Sequence, residues 1–193
     1  MMKEKNVPDW YIESCRRIEY MFPKGHAVAY VMMAMRIAYF KVHKPLAFYA
    51  AFLSRKADDF DMEVMSKGVL AKQKLEELSK EPKLDPKKKN EQAICEIVVE
   101  LEARGIELLP VDIYLSEGRK FKIEDGKIRI PLIGISGLGG AVIENILKER
   151  EEAKFISVED LKRRTKMSQT VADKLKSIGA ISSLSETNQI SLF

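Results

Sequence analysis

Glycines at three of the six positions from Ile135 to Gly140 stand directly before an apolar spacing, over 142–147, that is typical of a helix. Glycine lets the backbone adopt positive φ and approach a ligand closely. The first N–H groups of the following helix lack intrahelical acceptors and carry partial positive charge. The run therefore predicts a backbone site for an anion such as a phosphate.

This run, an apolar residue followed by Gly-Leu-Gly and an amphipathic helix, resembles the helix-hairpin-helix module that grips the DNA backbone. The alternative is an ordinary glycine turn between packed helices. A dinucleotide-binding fingerprint is excluded because its third glycine would fall at Val142, and no strand–helix–strand unit surrounds the run. The residues predicted to contact DNA here are Gly137, Leu138, Gly139 and Gly140.

A second and weaker hairpin pattern follows without the glycines. Helices are predicted over 158–164 and 169–177, with Ser168 as the N-cap of the second and Gly179 just beyond its end. Between 154 and 176, seven basic residues face three acidic ones, a surplus of four that equals the net charge of the whole chain. A basic surplus close to a turn that can bind phosphate favours a nucleic-acid-binding function. The alternative is an ordinary basic face exposed to solvent. The predicted DNA contacts here are Arg163, Arg164, Lys166 and Lys174.

Composition limits the remaining classes of function. The hydrophobic fraction of 46% is enough for a core, and a net charge of +4 requires any nucleic-acid surface to be local. Cys15 and Cys95 stand far apart, without a Cys/His cluster, so we expect reduced thiols, no zinc site and a cytoplasmic protein. The charged first six residues do not have the pattern of a signal peptide.

The first half of the chain is predicted to be helical, with a linker rich in proline and lysine over 81–89. The stretch 27–42 is apolar nearly all round, so we expect it to be buried in a larger protein, and it is too short for a comfortable membrane span. In the helix predicted over 61–79, the residues expected to face inward are Met62, Met65, Val69 and Leu75. The predicted helices cover 8–21, 27–42, 45–56 and 61–79, and a fifth, marked by apolar residues from Ile94 to Leu101, ends before Gly105.

A small β element is predicted between these helices and the glycine run. Asp125-Gly126 stands between two alternating segments, 119–123 and 127–130, which is the pattern of a β-hairpin. Beyond Ile181 the polar stretch 182–188 is expected to be mobile. The predicted fold class is therefore mainly α with a small β-hairpin, followed by tandem helix-hairpin-helix elements and a flexible tail.

Four stretches resemble, in the order of the family, bacterial C-family replicative DNA polymerases. Residues 21–30 and 36–45 resemble the fingers, and residues 104–113 resemble the segment that enters the duplex-binding part. The final Gln189, Ile190, Ser191, Leu192 and Phe193 resemble the peptide that binds the sliding clamp. A clamp peptide directly after tandem hairpins is similar to the PolC type of this family.

The resemblance implies a C-terminal fragment of such a polymerase, with double-stranded primer–template DNA, the sliding clamp and the rest of the polymerase as partners, and no membrane. The palm carboxylates and their Mg²⁺ would lie outside this chain, so we expect no bound cofactor and no polymerase activity from the chain alone. The implied domains are the end of the fingers (1–80), a helix, linker and β-hairpin (81–131), the tandem hairpin domain (132–181) and the tail (182–193).

The fingers match also implies candidates for a nucleotide pocket: Phe22, Lys24, His26 and Tyr30. A lysine would meet phosphates, an imidazole would donate a hydrogen bond, and the aromatic rings would form walls; the alternative is that these residues anchor a turn. Asp59 and Asp61 have the spacing of a two-metal site. They lack a third carboxylate and a leading strand, so Asp61 is expected to begin a helix instead.

Two other functions stay open at this point: a self-standing, non-catalytic helix-hairpin-helix protein for DNA binding or repair, and a structural helical adaptor. The apolar stretch 27–42 favours the polymerase fragment, because a self-standing protein does not need so apolar a helix.

Overall fold

The computed structural model describes residues 2–17 and 24–187, and this part of the chain is mainly helical with a small three-stranded sheet, which confirms the predicted fold class. The chain divides into two compact units, residues 1–43 and 44–193. The helices are α1 (Asp9–Arg17), α2 (Lys24–His43), α3 (Pro45–Arg55), α4 (Met62–Met65), α5 (Gly68–Ser79), α6 (Pro86–Ala103), α7 (Gly140–Glu152), α8 (Val158–Thr165) and α9 (Gln169–Ser177). The strands are β1 (Leu108–Leu109), β2 (Lys122–Glu124) and β3 (Lys127–Arg129).

In the first unit, α2 is the apolar helix that the sequence predicts, and it ends before Lys44 because a residue ahead of proline disfavours helical backbone. None of its residues is buried by the described part of the chain, and Met35 and Val42 are 68% and 65% exposed. No described helix combines the length and the apolarity needed to cross a bilayer.

The second unit begins with α3, whose first residue is Pro45 and which buries Tyr49 and Leu53. The single helix predicted over 61–79 is wrong, because the backbone at Lys67 is extended and separates α4 from α5. A Cβ on Gly68 would require the flexible side chain of Glu102, in α6, to move aside. The break therefore lets α5 start anew and pack closely on α6.

The break also changes which side chains point inward. Met62 and Met65 are buried and Leu75 packs partly against the core, as predicted, but Val69 is 65% exposed. The predicted linker is also shorter than expected. Asp85 accepts a hydrogen bond from the N–H of Lys88, so that the lysines of 87–89 belong to the first turn of α6.

The β-hairpin is confirmed, with Asp125 and Gly126 both at positive φ in its turn. The sheet order is β1–β3–β2, and the parallel pairing of β1 with β3 was not predicted because two residues carry no alternating pattern. Arg129 is buried; its side chain donates to Glu124 and to the carbonyl of Pro110 at 2.9 Å. The sheet thus fixes the start of the segment that leads into α7.

Candidate nucleic-acid interface

The first hairpin consists of the 3₁₀ turn Leu132–Gly134, the glycine run and α7. Gly137 has φ +88°, and Gly139 is the extended N-cap of α7. Leu138, between them, is 4% exposed and anchors the turn in the core. A Cβ built on Gly137, Gly139 or Gly140 would meet nothing within 4 Å, so the space in front of this backbone is open.

Some backbone N–H groups at this open turn have no hydrogen-bond acceptor among the described residues. Val142 and Ile143 donate to the carbonyl of Gly139 at 3.0 and 3.1 Å, which starts the helix. The N–H groups of the three residues 139–141 find no acceptor among the residues that the structure describes, and the N-cap has no side chain to supply one. These donors, together with the positive end of α7, are an arrangement that binds an anion.

The second hairpin, α8 and α9, repeats this backbone with different side chains. Lys166 adopts the left-handed conformation, Met167 is 5% exposed, and Ser168 is the N-cap of α9, as predicted. The hydroxyl of Ser168 accepts from the N–H of Val171 at 3.3 Å. Gly179, also as predicted, closes α9 with φ +77°.

Two of the predicted basic contacts face solvent. Arg163 is 73% exposed at its side chain and donates to Asp160 at 2.8 Å. Lys166 is exposed and forms no hydrogen bond or ion pair with any described residue. Burial opposes the charged form of Asp160, but hydrogen bonds from Arg163 and Ile156 and the charge of Arg164 outweigh it, so the pKa of Asp160 lies below its usual value.

Arg164 has an internal role instead. Its side chain is 16% exposed and donates to the carboxylate of Glu149 at 3.0 Å and to the carbonyl of Ala153 at 3.1 Å. Its guanidinium also stacks over Phe155, 4.6 Å from the ring centroid. Because these contacts join α8 to the end of α7, we leave Arg164 out of the proposed DNA contacts.

Lys174 is also engaged within the protein. Its Nζ lies 2.8 Å from a carboxylate oxygen of Glu63 and 3.0 Å from the carbonyl oxygen of Ser136, and its side chain is 23% exposed. The ammonium group of Lys174 therefore connects α9 to α4 and to the start of the glycine run.

A basic residue that sequence reasoning missed lies beside the first hairpin. Lys120 lines a cleft of about 330 Å³ together with Gly140 and Glu144, at the N-terminal end of α7. It is exposed and has no ion-pair partner in the described ranges, whereas its neighbour Arg119 binds Asp58. The count of charges over 154–176 did not include it, and only the fold brings it to the glycine run.

Comparison with known proteins agrees with this geometry. A family profile described as a helix-hairpin-helix motif matches residues 105–190. DNA polymerase III PolC-type proteins of Clostridium perfringens, Thermotoga petrophila and Bacillus subtilis are 51%, 50% and 47% identical to this chain along its full length. The chain matches a segment of PolC-type DNA polymerase III. It spans 14% of the length of these relatives.

The nucleotide-pocket candidates fall within the first unit. Phe22 lies outside the described residues. Lys24 begins α2, and the rings of His26 and Tyr30 lie one turn apart with centroids 5.4 Å from each other. All three side chains are exposed. The structure brings them to the same end of α2, and their contact with a nucleotide stays a prediction.

The predicted clamp peptide, residues 189–193, lies outside the described residues. Within the stretch 182–188, which was expected to be mobile, Ser185 and Glu186 are hydrogen-bonded to α8. The carbonyl groups of Ser185 and Glu186 accept from the N–H groups of Val158 and Glu159 at 2.8 and 3.2 Å. These bonds satisfy two N–H donors of the first turn of α8 that have no intrahelical acceptor, and they hold the chain there.

Asp59 and Asp61 act as structural hydrogen-bond acceptors. Asp61 is the N-cap of α4, as expected, and accepts from the N–H of Glu63 at 2.9 Å. Asp59 accepts from the side chain of Asn90 at 2.8 Å. Within residues 2–17 and 24–187 no group of three or more His, Cys, Asp or Glu side chains is placed to hold a metal ion.

Proposed function

We propose that this chain holds the primer–template duplex for a replicative DNA polymerase of which it forms a part. The observation that carries the proposal is the set of open N–H groups over 139–141, and the exposed cations of the second hairpin add to it. The helix-hairpin-helix match and the PolC-type relatives support DNA as the ligand.

The chemistry of this site predicts little sequence preference. Backbone amides and lysine or arginine side chains contact phosphates, which position a protein on DNA without reading bases. Each neutralised phosphate releases counterions, so the logarithm of the affinity falls with the logarithm of salt concentration by about 0.9 per contact. Arg163, Lys166 and Lys120 are the side chains that we assign to such contacts.

The test is fluorescence anisotropy of labelled duplexes of two unrelated sequences over a series of salt concentrations. Arg163→Gln combined with Lys166→Gln should weaken binding to both sequences equally and lower the salt slope by about two units. The matched control removes two exposed lysines outside the hairpins, Lys72→Gln with Lys89→Gln, and should change neither quantity. Binding that ignores salt, or that strongly prefers one duplex, contradicts the proposal.

We also propose that residues 189–193 bind the sliding clamp. Leu192 and Phe193 supply two apolar side chains, each worth about 1.5–3 kcal/mol if fully buried, while the amide of Gln189 fixes the register. Ordering a free segment offsets part of this gain. Ser185 and Glu186 are hydrogen-bonded to the start of α8. Because an extended chain spans at most about 3.6 Å per residue, the few residues that follow them keep the clamp peptide close to the hairpins.

Calorimetry against a purified bacterial sliding clamp tests this second proposal. Leu192→Ala combined with Phe193→Ala should abolish the heat of binding, whereas the control Asn188→Ala should retain it. Equal heats from the wild type and the double variant contradict clamp binding by this segment.

We assign catalysis to the remainder of the polymerase, and we propose that the catalytic carboxylates and Mg²⁺ lie outside this chain. We propose that Lys24, His26 and Tyr30 face the nucleotide only in the whole polymerase. We also propose that the whole protein acts in the cytoplasm. Primer extension assayed with this chain and Mg²⁺ should show no product; product that disappears on Asp59→Ala with Asp61→Ala contradicts the assignment.

A further inference from the structure

The ammonium group of Lys174 joins three segments that are distant in the sequence. Its Nζ lies 2.8 Å from Oε1 of Glu63, on α4, and 3.0 Å from the carbonyl oxygen of Ser136, at the start of the glycine run. We propose that Glu63 and Lys174 form a clasp that holds the first hairpin turn in its phosphate-binding shape. This inference rests on the proposed DNA-binding function.

The glycines of the turn supply no side chains, so the packing of the turn depends on the buried Ile135 and Leu138. Three of the four residues over 137–140 are glycines, whose backbone is the most costly to order. A cleft of about 340 Å³ is lined by Ser136 and Gly137 of the turn and by Asp61 and Val64. Leu138 anchors the middle of the turn in the core, and the bond from Lys174 fixes its entrance at Ser136.

Glu63 is itself held in place by the local structure of α4. The side chain of Asp61 accepts from the N–H of Glu63 at 2.9 Å, and Met62 and Met65 are buried on either side of it in sequence. This short helix therefore presents the carboxylate of Glu63 from a fixed backbone, and the carboxylate orients the flexible side chain of Lys174 toward the carbonyl of Ser136. Glu63 and Lys174 are thus positioning residues.

The clasp predicts that removing the carboxylate of Glu63 weakens duplex binding, which is the opposite of what charge repulsion alone predicts. Removing a carboxylate near a DNA-binding face normally strengthens binding, because repulsion of phosphates is lost. Loss of the clasp instead weakens binding, because the open N–H groups over 139–141 are no longer held in position. Glu144 provides the matched control: it is exposed on the first turns of α7, beside Gly140, and forms no ion pair within the described part of the chain.

The experiment compares Glu63→Gln, Glu144→Gln, Lys174→Met and Lys174→Arg in the full chain. Duplex affinity is measured over a salt series, and hydrogen exchange of the amides of Leu138 and Val142 is measured without DNA. Glu63→Gln and Lys174→Met should weaken binding about two- to five-fold, the scale of a partly exposed ion pair, and should accelerate both amides at an unchanged salt slope. Lys174→Arg should retain binding, and Glu144→Gln should strengthen it.

The outcomes separate the clasp from the proposed function. Stronger or unchanged binding by Glu63→Gln, with unchanged amide exchange, overturns the clasp. A salt slope lowered by about 0.9 in Lys174→Met indicates a direct phosphate contact and overturns the positioning role of Lys174. If the wild-type chain fails to bind duplex, the proposed function falls, and amide exchange alone decides whether the clasp holds the turn. Thermal unfolding of each variant verifies that it is folded.

Discussion

The two hairpins have the same backbone but different side chains at their turns. Gly137 and Lys166 both take positive φ, +88° and +59°. The next residue of each turn is buried, 4% exposed for Leu138 and 5% for Met167. The N-caps that follow, Gly139 and Ser168, have φ and ψ of −69° and 149° in the first hairpin and −72° and 159° in the second.

The difference lies in what each turn offers to a phosphate. In the first hairpin the N-cap has no side chain, so the helix N-terminus stays open to a ligand. In the second, the hydroxyl of Ser168 already accepts from the N–H of Val171, and the exposed charges of Lys166 and Arg163 are the attractive groups. The same turn geometry thus leaves open backbone donors in one copy and exposed side-chain cations in the other.

The largest expected effect follows from closing the open site. Gly139→Val introduces no backbone strain, because φ −69° suits any residue and a Cβ there meets nothing within 4 Å. Its side chain occupies the space in front of the N–H groups, and losing hydrogen bonds to a charged phosphate, about 1.5–3 kcal/mol each, should weaken duplex binding by roughly ten-fold or more.

The N-cap of the second hairpin, Ser168, provides the control for this variant. Ser168→Gly at the matching position of the second hairpin should weaken duplex binding little and cost only a few tenths of a kcal/mol of stability. Anisotropy titrations and thermal unfolding measure both quantities. Equal losses of affinity from the two N-cap variants would show that the open amides have no special role.

A middle-sized effect is expected from exchanging the first turn residue. Lys166→Gly should raise the free energy of unfolding by about 1 kcal/mol, because a left-handed conformation is strained for lysine and not for glycine. The same change removes a cation, so the salt slope of duplex binding should fall by about 0.9. Chemical denaturation and a salt titration check the two parts separately. A Lys166→Gly variant that keeps the salt slope of the wild type would remove Lys166 from the DNA contacts.

The smallest effect concerns acid stability and distinguishes the two hairpins again. The pKa of Asp160 in α8 is lowered in the folded state, so its contribution to stability is present above the usual pKa of an aspartate and is lost as pH falls through the lowered value. We expect hydrogen exchange within α8 to accelerate in that acidic range before exchange within α7 does. Asp160→Asn should remove this difference in pH dependence; its persistence in the variant would assign it to another group.

The sequence predicted most of the elements that position the site, because their signals are local. Ser168, Gly179 and the pair Asp125-Gly126 act through their own backbone conformation and nearest neighbours. The break at Lys67 was missed because the apolar spacing over 61–79 continues across it, and the packing of α5 on α6 joins helices that no local pattern relates.

The basic residues show the same limit. Charge counting treated Arg163, Arg164 and Lys174 alike, yet the fold turns Arg164 toward Glu149 and Ala153 and Lys174 toward Glu63. No local pattern distinguishes a solvated cation from one that joins two helices. Lys120 was missed for the converse reason, since the β-hairpin segment brings it to α7 from a distant part of the chain.

The most direct test of the phosphate-binding amides is a titration of the ¹⁵N-labelled chain with duplex DNA, followed through its amide signals. We expect the signals of Gly139, Gly140 and Ala141 to shift most strongly among those of the first hairpin, and two unrelated duplexes to give the same shifts. Unchanged signals at these three amides while other residues respond, or shifts that depend on the sequence of the duplex, would contradict a grip on the phosphate backbone.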